Sequence, residues 1–110
     1  MDASPYTVVV TDPCEQLDWA GLFSNHHPVE LDLGAGDGGF ALAYAQQHPG
    51  INLLAVERLL GRVRKIEKRA ARASLTNLRV LRLEFGYTVR YLLPSGSVST
   101  ILCFHTLKPN

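Results

Sequence analysis

The residues with the clearest chemical potential form one short stretch, DLGAGDGG at positions 32–39, which follows an apolar run. Glycine accepts a positive φ and lets a ligand approach the bare backbone, so the stretch predicts a loop that holds a nucleotide-like cofactor. The glycines fit both G-x-G-x-x-G, typical of dinucleotide sites, and acid-x-G-x-G-x-G. The spacing of the glycines alone therefore does not identify the cofactor.

The acids around the glycines favour a cationic cofactor over a phosphate. Asp32 precedes Gly34 by two residues, and Asp37 lies within the loop. Carboxylates at close range repel a doubly anionic pyrophosphate. S-adenosylmethionine carries a positive sulfonium and no phosphate, so the same carboxylates attract it. The methyl donor is therefore favoured, and NAD stays open as an alternative.

Two further acids follow predicted strands and would lie at the same edge of the sheet. Glu57 ends a strand, where its carboxylate would accept hydrogen bonds from ribose hydroxyls, a device that NAD-binding folds share. Glu84 ends the next strand, where its carboxylate would accept a hydrogen bond from the exocyclic amine of adenine. Glu30 is expected to lie elsewhere, because side chains alternate along a strand.

Alternating strands and helices must position these residues. Strands are predicted over 29–33, 51–56, 78–83 and 98–104, with helices over 38–47, 59–73 and 86–93. This order predicts an α/β fold with about four parallel strands and flanking helices. Residues 6–10 form a candidate extra strand, and a short helix capped by Asp12 is expected through residues 17–23. The chain divides into an N-terminal segment, 1–27, and a cofactor-binding part, 28–110.

Composition and charge restrict the class of protein. The 110 residues suit one domain, and 46% apolar residues exclude a disordered chain. Seven of the eleven Lys and Arg residues lie between Arg58 and Arg72, and this helix is either an RNA-phosphate surface or an ordinary solvated face. Cys14 and Cys103 match no metal spacing and are expected as reduced thiols. The sequence shows no signal peptide and no bilayer-spanning run, so a cytoplasmic protein without a metal is expected.

Taken together, these motifs resemble the bacterial tRNA (guanine-N7)-methyltransferases, a family of class I S-adenosylmethionine-dependent enzymes. The resemblance covers roughly residues 17–104, with 29–40 similar to motif I and 55–58 similar to the ribose-binding turn. It implies a Rossmann-like class I sheet, S-adenosylmethionine as cofactor and 7-methylguanosine in tRNA as product. The cofactor-binding positions that it implies are Asp32, Gly34, Gly36, Gly38, Glu57 and Glu84. The tRNA-contacting candidates are Arg62, Arg64, Lys65, Lys68 and Arg69.

The sequence departs from the family pattern after the fourth strand. The family has a Phe-Pro-Asp-Pro-Trp-Pro-Lys segment there, whereas Thr106 stands at its acidic position in this chain. The resemblance therefore assigns no catalytic residue and predicts a truncated or frameshifted member with only the N-terminal part of the sheet. Two alternatives stay open: a non-catalytic paralogue that pairs with itself through an exposed fourth strand, and an NAD-binding fragment.

Overall fold

The computed structural model describes residues 5–8, 16–83 and 98–102. Its elements, in chain order, are β1 (Thr7–Val8), α1 (Trp19–Phe23), β2 (Val29–Leu33), α2 (Gly39–Gln47), β3 (Asn52–Glu57), α3 (Leu60–Ala73), β4 (Leu78–Arg82) and β5 (Val98–Leu102). Glu84, Thr106, both cysteines and the helix expected over 86–93 lie outside these ranges. The predicted alternation of strand and helix is confirmed over the described part.

The described strands form one parallel sheet in the order β1-β4-β3-β2-β5. The four predicted strands are present, and Thr7–Val8 adds a fifth by pairing with β4. From β2 the chain moves outward through β3 to β4, and β5 then returns to the other side of β2. The winding therefore reverses beside β2, and ligands of open α/β sheets bind at the carboxyl ends of strands at such a point.

Side-chain alternation divides the core between the two faces of the sheet. Leu53 and Ala55 of β3 pack with the buried side of α2 and α3, whereas Leu54 and Val56 face the opposite side. The α2 and α3 side is completed mainly by the helical residues Ala41, Leu42, Ala45, Val63, Ile66 and Ala70. Because β3 is buried on both faces, its run of apolar residues is continuous, as in a central parallel strand.

Three helix starts differ from the sequence prediction, and in one of them α2 begins at Gly39, with Gly38 at its N-cap. The N-terminal helix begins at Trp19, with Asp18 at its N-cap, so Leu17 precedes the helix and the predicted cap Asp12 lies outside the described residues. Helix α3 begins at Leu60, because Leu59 is extended, with φ −92° and ψ 120°. The apolar Leu59 side chain is 43% exposed and does not join the buried face of the helix.

The amide of Asn77 ties the turn before β4 to the end of α2. Its Nδ2 group donates to the carbonyls of Ala45 at 3.0 Å, His48 at 3.1 Å and Ile51 at 3.0 Å. The Asn77 side chain is buried. An amide NH2 has two hydrogens, which the three carbonyls must share. Asn77 therefore closes the α2–β3 turn against β4.

Replacing Asn77 by Asp is expected to lower the free energy of unfolding by about 1–3 kcal/mol, because an acceptor would face carbonyls that lose their donor. Urea denaturation followed by circular dichroism measures the loss. Thr76→Ala, an exposed neighbouring change, is the control and is expected to stay within about 0.5 kcal/mol of the parent. Equal stability of Asn77→Asp and Thr76→Ala would contradict the role given to the amide.

Candidate functional site

The glycine-rich loop crosses from β2 onto the end of β3. Gly34, Gly36 and Gly38 have φ values of 72°, 63° and 87°, in the left-handed region that favours glycine. The N–H groups of Gly34 and Ala35 both donate to the Val56 carbonyl, at 2.9 and 3.1 Å. The predicted strand, tight loop and helix start are therefore confirmed, and the loop is fixed to the neighbouring strand by its own backbone.

Two of the glycines serve different purposes. A Cβ added at Gly38 would lie 2.7 Å from Cγ1 of Ile66 in α3, so a side chain has no room there. A Cβ added at Gly36 would meet no atom within 4 Å. Gly38 therefore permits close packing of the loop on α3, whereas Gly36 presents bare backbone to open space, as a bound ligand requires.

The carboxylate of Glu57 holds the loop from the end of β3. Its Oε1 accepts the Gly36 N–H at 3.0 Å, and its Oε2 accepts the Leu59 N–H at 2.9 Å. The side chain is only 4% exposed. The sequence pattern indicated a ribose contact at Glu57 and gave no sign of this loop contact. Glu57 therefore shapes the backbone that a cofactor would meet, besides offering its remaining lone pairs.

Asp32 lies beside the loop at the carboxyl end of β2 and is fully buried, with an exposure of 0%. It pairs in register with Ala55 of β3, two residues before Glu57. The structure thus brings Asp32, the glycine loop and Glu57 to one edge of the sheet. Glu84, the third expected acid, lies outside the described residues.

The reason given for expecting Glu30 to lie elsewhere was wrong. Residues two apart in a strand share a face, so Glu30 lies on the same side of β2 as Asp32. What separates the two acids is their depth along the strand and their partners. Glu30 accepts a hydrogen bond from the Tyr44 hydroxyl of α2, and this bond raises the pKa of Tyr44. Glu30 therefore fastens α2 to the sheet, away from the glycine loop.

Asp37 links the loop to two neighbouring elements. Its Oδ1 accepts the Gly39 N–H at 3.2 Å at the start of α2. Arg69 of α3 donates from Nη1 to the Asp37 carbonyl at 3.1 Å and lies 3.8 Å from Oδ1. The hydrogen bond from the Gly39 N–H lowers the pKa of the Asp37 carboxyl, desolvation opposes this effect, and the positive charges of Arg69 and Lys65 lower the pKa further. Asp37 thus stays ionised at neutral pH and keeps both contacts.

The basic residues of α3 lie mostly on its solvent side. Val63, Ile66 and Ala70 form the buried stripe of the helix. The exposed side chains around the rest of its surface include Arg62, Arg64, Lys65, Lys68 and Arg72. Four of the five tRNA candidates therefore share an open surface, whereas Arg69 turns to the glycine loop.

A search of residues 5–8, 16–83 and 98–102 finds no group of three or more His, Cys, Asp or Glu side chains arranged to hold a metal ion. None of the helices in the same ranges has the length and apolar character needed to cross a membrane.

Two solved structures that share this arrangement are methyltransferases. The S-adenosylmethionine-dependent methyltransferase SibL, in its apo form, matches with a TM-score of 0.58 and 28% identity over 77% of this chain and 24% of its own. Coclaurine N-methyltransferase bound to N-methylheliamine and SAH matches with a TM-score of 0.50 and 26% identity, over 59% of this chain and 20% of its own. The parallel sheet with its glycine loop is therefore the Rossmann-like fold of class I methyltransferases.

Sequence comparison assigns the chain to one family of methyltransferases. The family model described as "Putative methyltransferase" matches residues 26–106, so the chain belongs to this methyltransferase family. The tRNA (guanine-N(7)-)-methyltransferase of Lactobacillus delbrueckii subsp. bulgaricus is 35% identical over 93 residues, which cover 84% of this chain. Those residues cover 43% of that relative, so the chain spans about two fifths of the length of the relative it matches.

The two loop glycines predict different losses of stability. Gly36→Ala is expected to cost about 1–2 kcal/mol, since alanine is strained at a positive φ but meets open space. Gly38→Ala is expected to cost more, because overpacking against Ile66 adds about 1–3 kcal/mol to the same strain. Urea unfolding measures both. Gly61→Ala in α3, with open space and no positive φ, is the control and should raise stability by about 0.5–1 kcal/mol. A smaller cost for Gly38→Ala than for Gly36→Ala would refute the packing role.

Proposed function

We propose that this chain forms the S-adenosylmethionine-binding part of a tRNA (guanine-N7)-methyltransferase. The observation that carries the proposal is the loop backbone at Gly36, which has open space at the side-chain position and shares with two buried acids the sheet edge where the winding reverses. Family membership and the names of the relatives support the same assignment.

The residues at the loop fit this cofactor. Each oxygen of Glu57 accepts one backbone N–H and keeps a further lone pair, so the carboxylate can also accept the two ribose hydroxyls. Asp32 adds a second buried carboxylate, which attracts the positive amino and sulfonium groups. The half-buried Gly36 has open space where a side chain would be, so a ligand can approach its backbone closely. The same two carboxylates would repel the negative pyrophosphate of NAD, so NAD fits the site less well.

The chemistry asks mainly for positioning. S-adenosylmethionine supplies an electrophilic methyl group when bound. Guanine N7 already carries a free lone pair, so no base needs to remove a proton from it before attack. The part of this chain is to hold the donor at a fixed loop so that the methyl carbon faces the nucleophile. Alignment of this kind contributes up to about 7–11 kcal/mol in well-oriented reactions.

The solvent side of α3 supports a nucleic-acid substrate. Four exposed basic residues of the predicted tRNA set, Arg62, Arg64, Lys65 and Lys68, lie on one helix. Lys and Arg contacts to phosphates position an RNA without reading its sequence. Glu67 is the one acid in this helix, so intrahelical neutralisation of the basic surface is limited. We therefore propose that α3 contacts the tRNA backbone.

Self-association remains a second candidate for the same chain. Within the described part of the sheet, β5 is the outermost strand beside β2. An uncovered strand edge offers unpaired backbone groups to another chain. Sedimentation across a concentration series separates the candidates, because a monomer that binds the methyl donor would leave only the enzymatic assignment.

Cofactor binding is tested by calorimetric titration of the chain with S-adenosylhomocysteine. We expect binding that weakens about 10- to 100-fold in Glu57→Gln, because the substitution removes a charged acceptor from the loop and the ribose. Gly61→Ala, at an exposed position in α3, is the matched control and should bind like the parent. NADH is titrated in parallel. Preference for NADH, or no heat with S-adenosylhomocysteine from a folded chain, would refute the cofactor assignment.

RNA contact is tested by the salt dependence of tRNA binding. Lys65→Gln and Lys68→Gln should each reduce the slope of log K against log salt by about 1, since each removes one phosphate contact. Glu67→Gln on the same helix is the control and should not reduce the slope. If all three variants keep the parental slope, α3 is an ordinary solvated helix.

A further inference from the structure

Helix α3 supports the glycine loop at two points. Ile66 lies directly beneath Gly38, where any Cβ would collide with it. Arg69, one turn further along the helix, reaches Asp37. Residues three apart on a helix lie on neighbouring parts of its surface, so the two contacts act on successive loop residues. The position of the loop therefore depends on how helix α3 packs against it.

The contact of Arg69 with the loop is mainly a hydrogen bond to backbone. Its Nη1 donates to the Asp37 carbonyl at 3.1 Å, whereas the distance from Nη1 to the Asp37 carboxylate oxygen is 3.8 Å. The two side chains are 40% and 63% exposed, and ion pairs in such surroundings contribute little. The bond to the carbonyl, by contrast, restricts the orientation of the Asp37 peptide unit. That carbonyl lies in the peptide unit between Asp37 and Gly38, which is one unit beyond the one that joins Gly36 to Asp37.

Asp37 passes this restraint on to the start of α2. Its carboxylate accepts the Gly39 N–H at 3.2 Å. One end of Asp37 is thus held by α3 and the other holds the first residue of α2. The part of the loop that follows Gly36 is therefore fixed before a ligand binds, and this reduces the entropy that is lost on binding.

We propose that Arg69 is a positioning residue for cofactor binding rather than a tRNA contact. It holds Asp37 and thereby keeps the Gly36 backbone in the geometry that receives S-adenosylmethionine. The proposal rests on the proposed cofactor-binding function and assigns to Arg69 a role different from the one that its place in the basic helix predicts. Arg62, Arg64, Lys65 and Lys68 keep the RNA assignment.

The test compares charge-matched variants of the full chain. Arg69→Met is expected to weaken S-adenosylhomocysteine binding about three- to tenfold, the effect of one lost hydrogen bond. Arg69→Lys, which keeps a donor on a shorter side chain, should lie between Arg69→Met and the parent. Arg72→Met removes the same charge at an exposed position of the same helix and should bind like the parent. Urea unfolding checks that each variant is folded at the titration temperature.

A second readout does not depend on the ligand. In the ligand-free chain, Arg69→Met should shift the amide NMR signals of Gly36, Gly38 and Gly39, and Arg72→Met should not. If the parent binds the ligand while Arg69→Met equals Arg72→Met, the positioning role is refuted and the cofactor assignment stands. Weaker binding without shifted glycine amides also refutes it, because Arg69 would then act elsewhere. If no chain binds S-adenosylhomocysteine, the proposed function fails, and this inference, which rests on it, fails with it.

Discussion

The carbonyl of Val56 accepts two backbone N–H groups from the loop, those of Gly34 and Ala35. These bonds carry the chain from β2 across the end of β3, and the rest of the site depends on that crossing. It places the Gly36 N–H within reach of Glu57, which lies one residue beyond Val56. The loop can make this crossing because its glycines adopt positive φ without a steric cost.

Glu57 shows how one carboxylate can serve both the protein and a ligand. Its two oxygens accept two backbone N–H groups, and these bonds fix the orientation of a side chain that is almost fully buried. A ligand that uses its remaining lone pairs meets an acceptor that is already oriented. Under the proposed function, part of the affinity comes from this preorganisation rather than from new contacts alone.

The elements with strong periodic signals were predictable from the sequence. The bounds of β2 agree with the prediction residue for residue, and α3 differs only at its start. Leu59 at that start is extended, and its N–H donates to the carboxylate of Glu57 two residues earlier, a local contact that periodicity does not contain. Thr7–Val8 is a two-residue strand that is defined by its pairing with β4, so local sequence carries only a weak signal for it.

The members of the candidate site were easier to predict than their contacts. Asp32, the glycines and Glu57 were indicated by their position at the carboxyl ends of strands or directly after them. The bonds from Gly36 to Glu57 and from Arg69 to Asp37 join residues 21 and 32 positions apart, so they depend on how the sheet and helix pack. The reasoning on Glu30 was wrong because alternation places Glu30 and Leu31 on opposite faces of the strand but Glu30 and Asp32 on the same face.

The division of α3 into a buried stripe and a charged surface has an evolutionary consequence. Substitutions on an exposed surface usually change stability by no more than about 0.5 kcal/mol, so the charge of that surface can drift while the fold and loop stay intact. Affinity for a polyanion can thus be retuned independently of the cofactor loop. Arg69 is the exception, because a change there alters the surface and the loop together. A substitution of Arg69 that is selected for its effect on the surface charge therefore also changes the support of the loop.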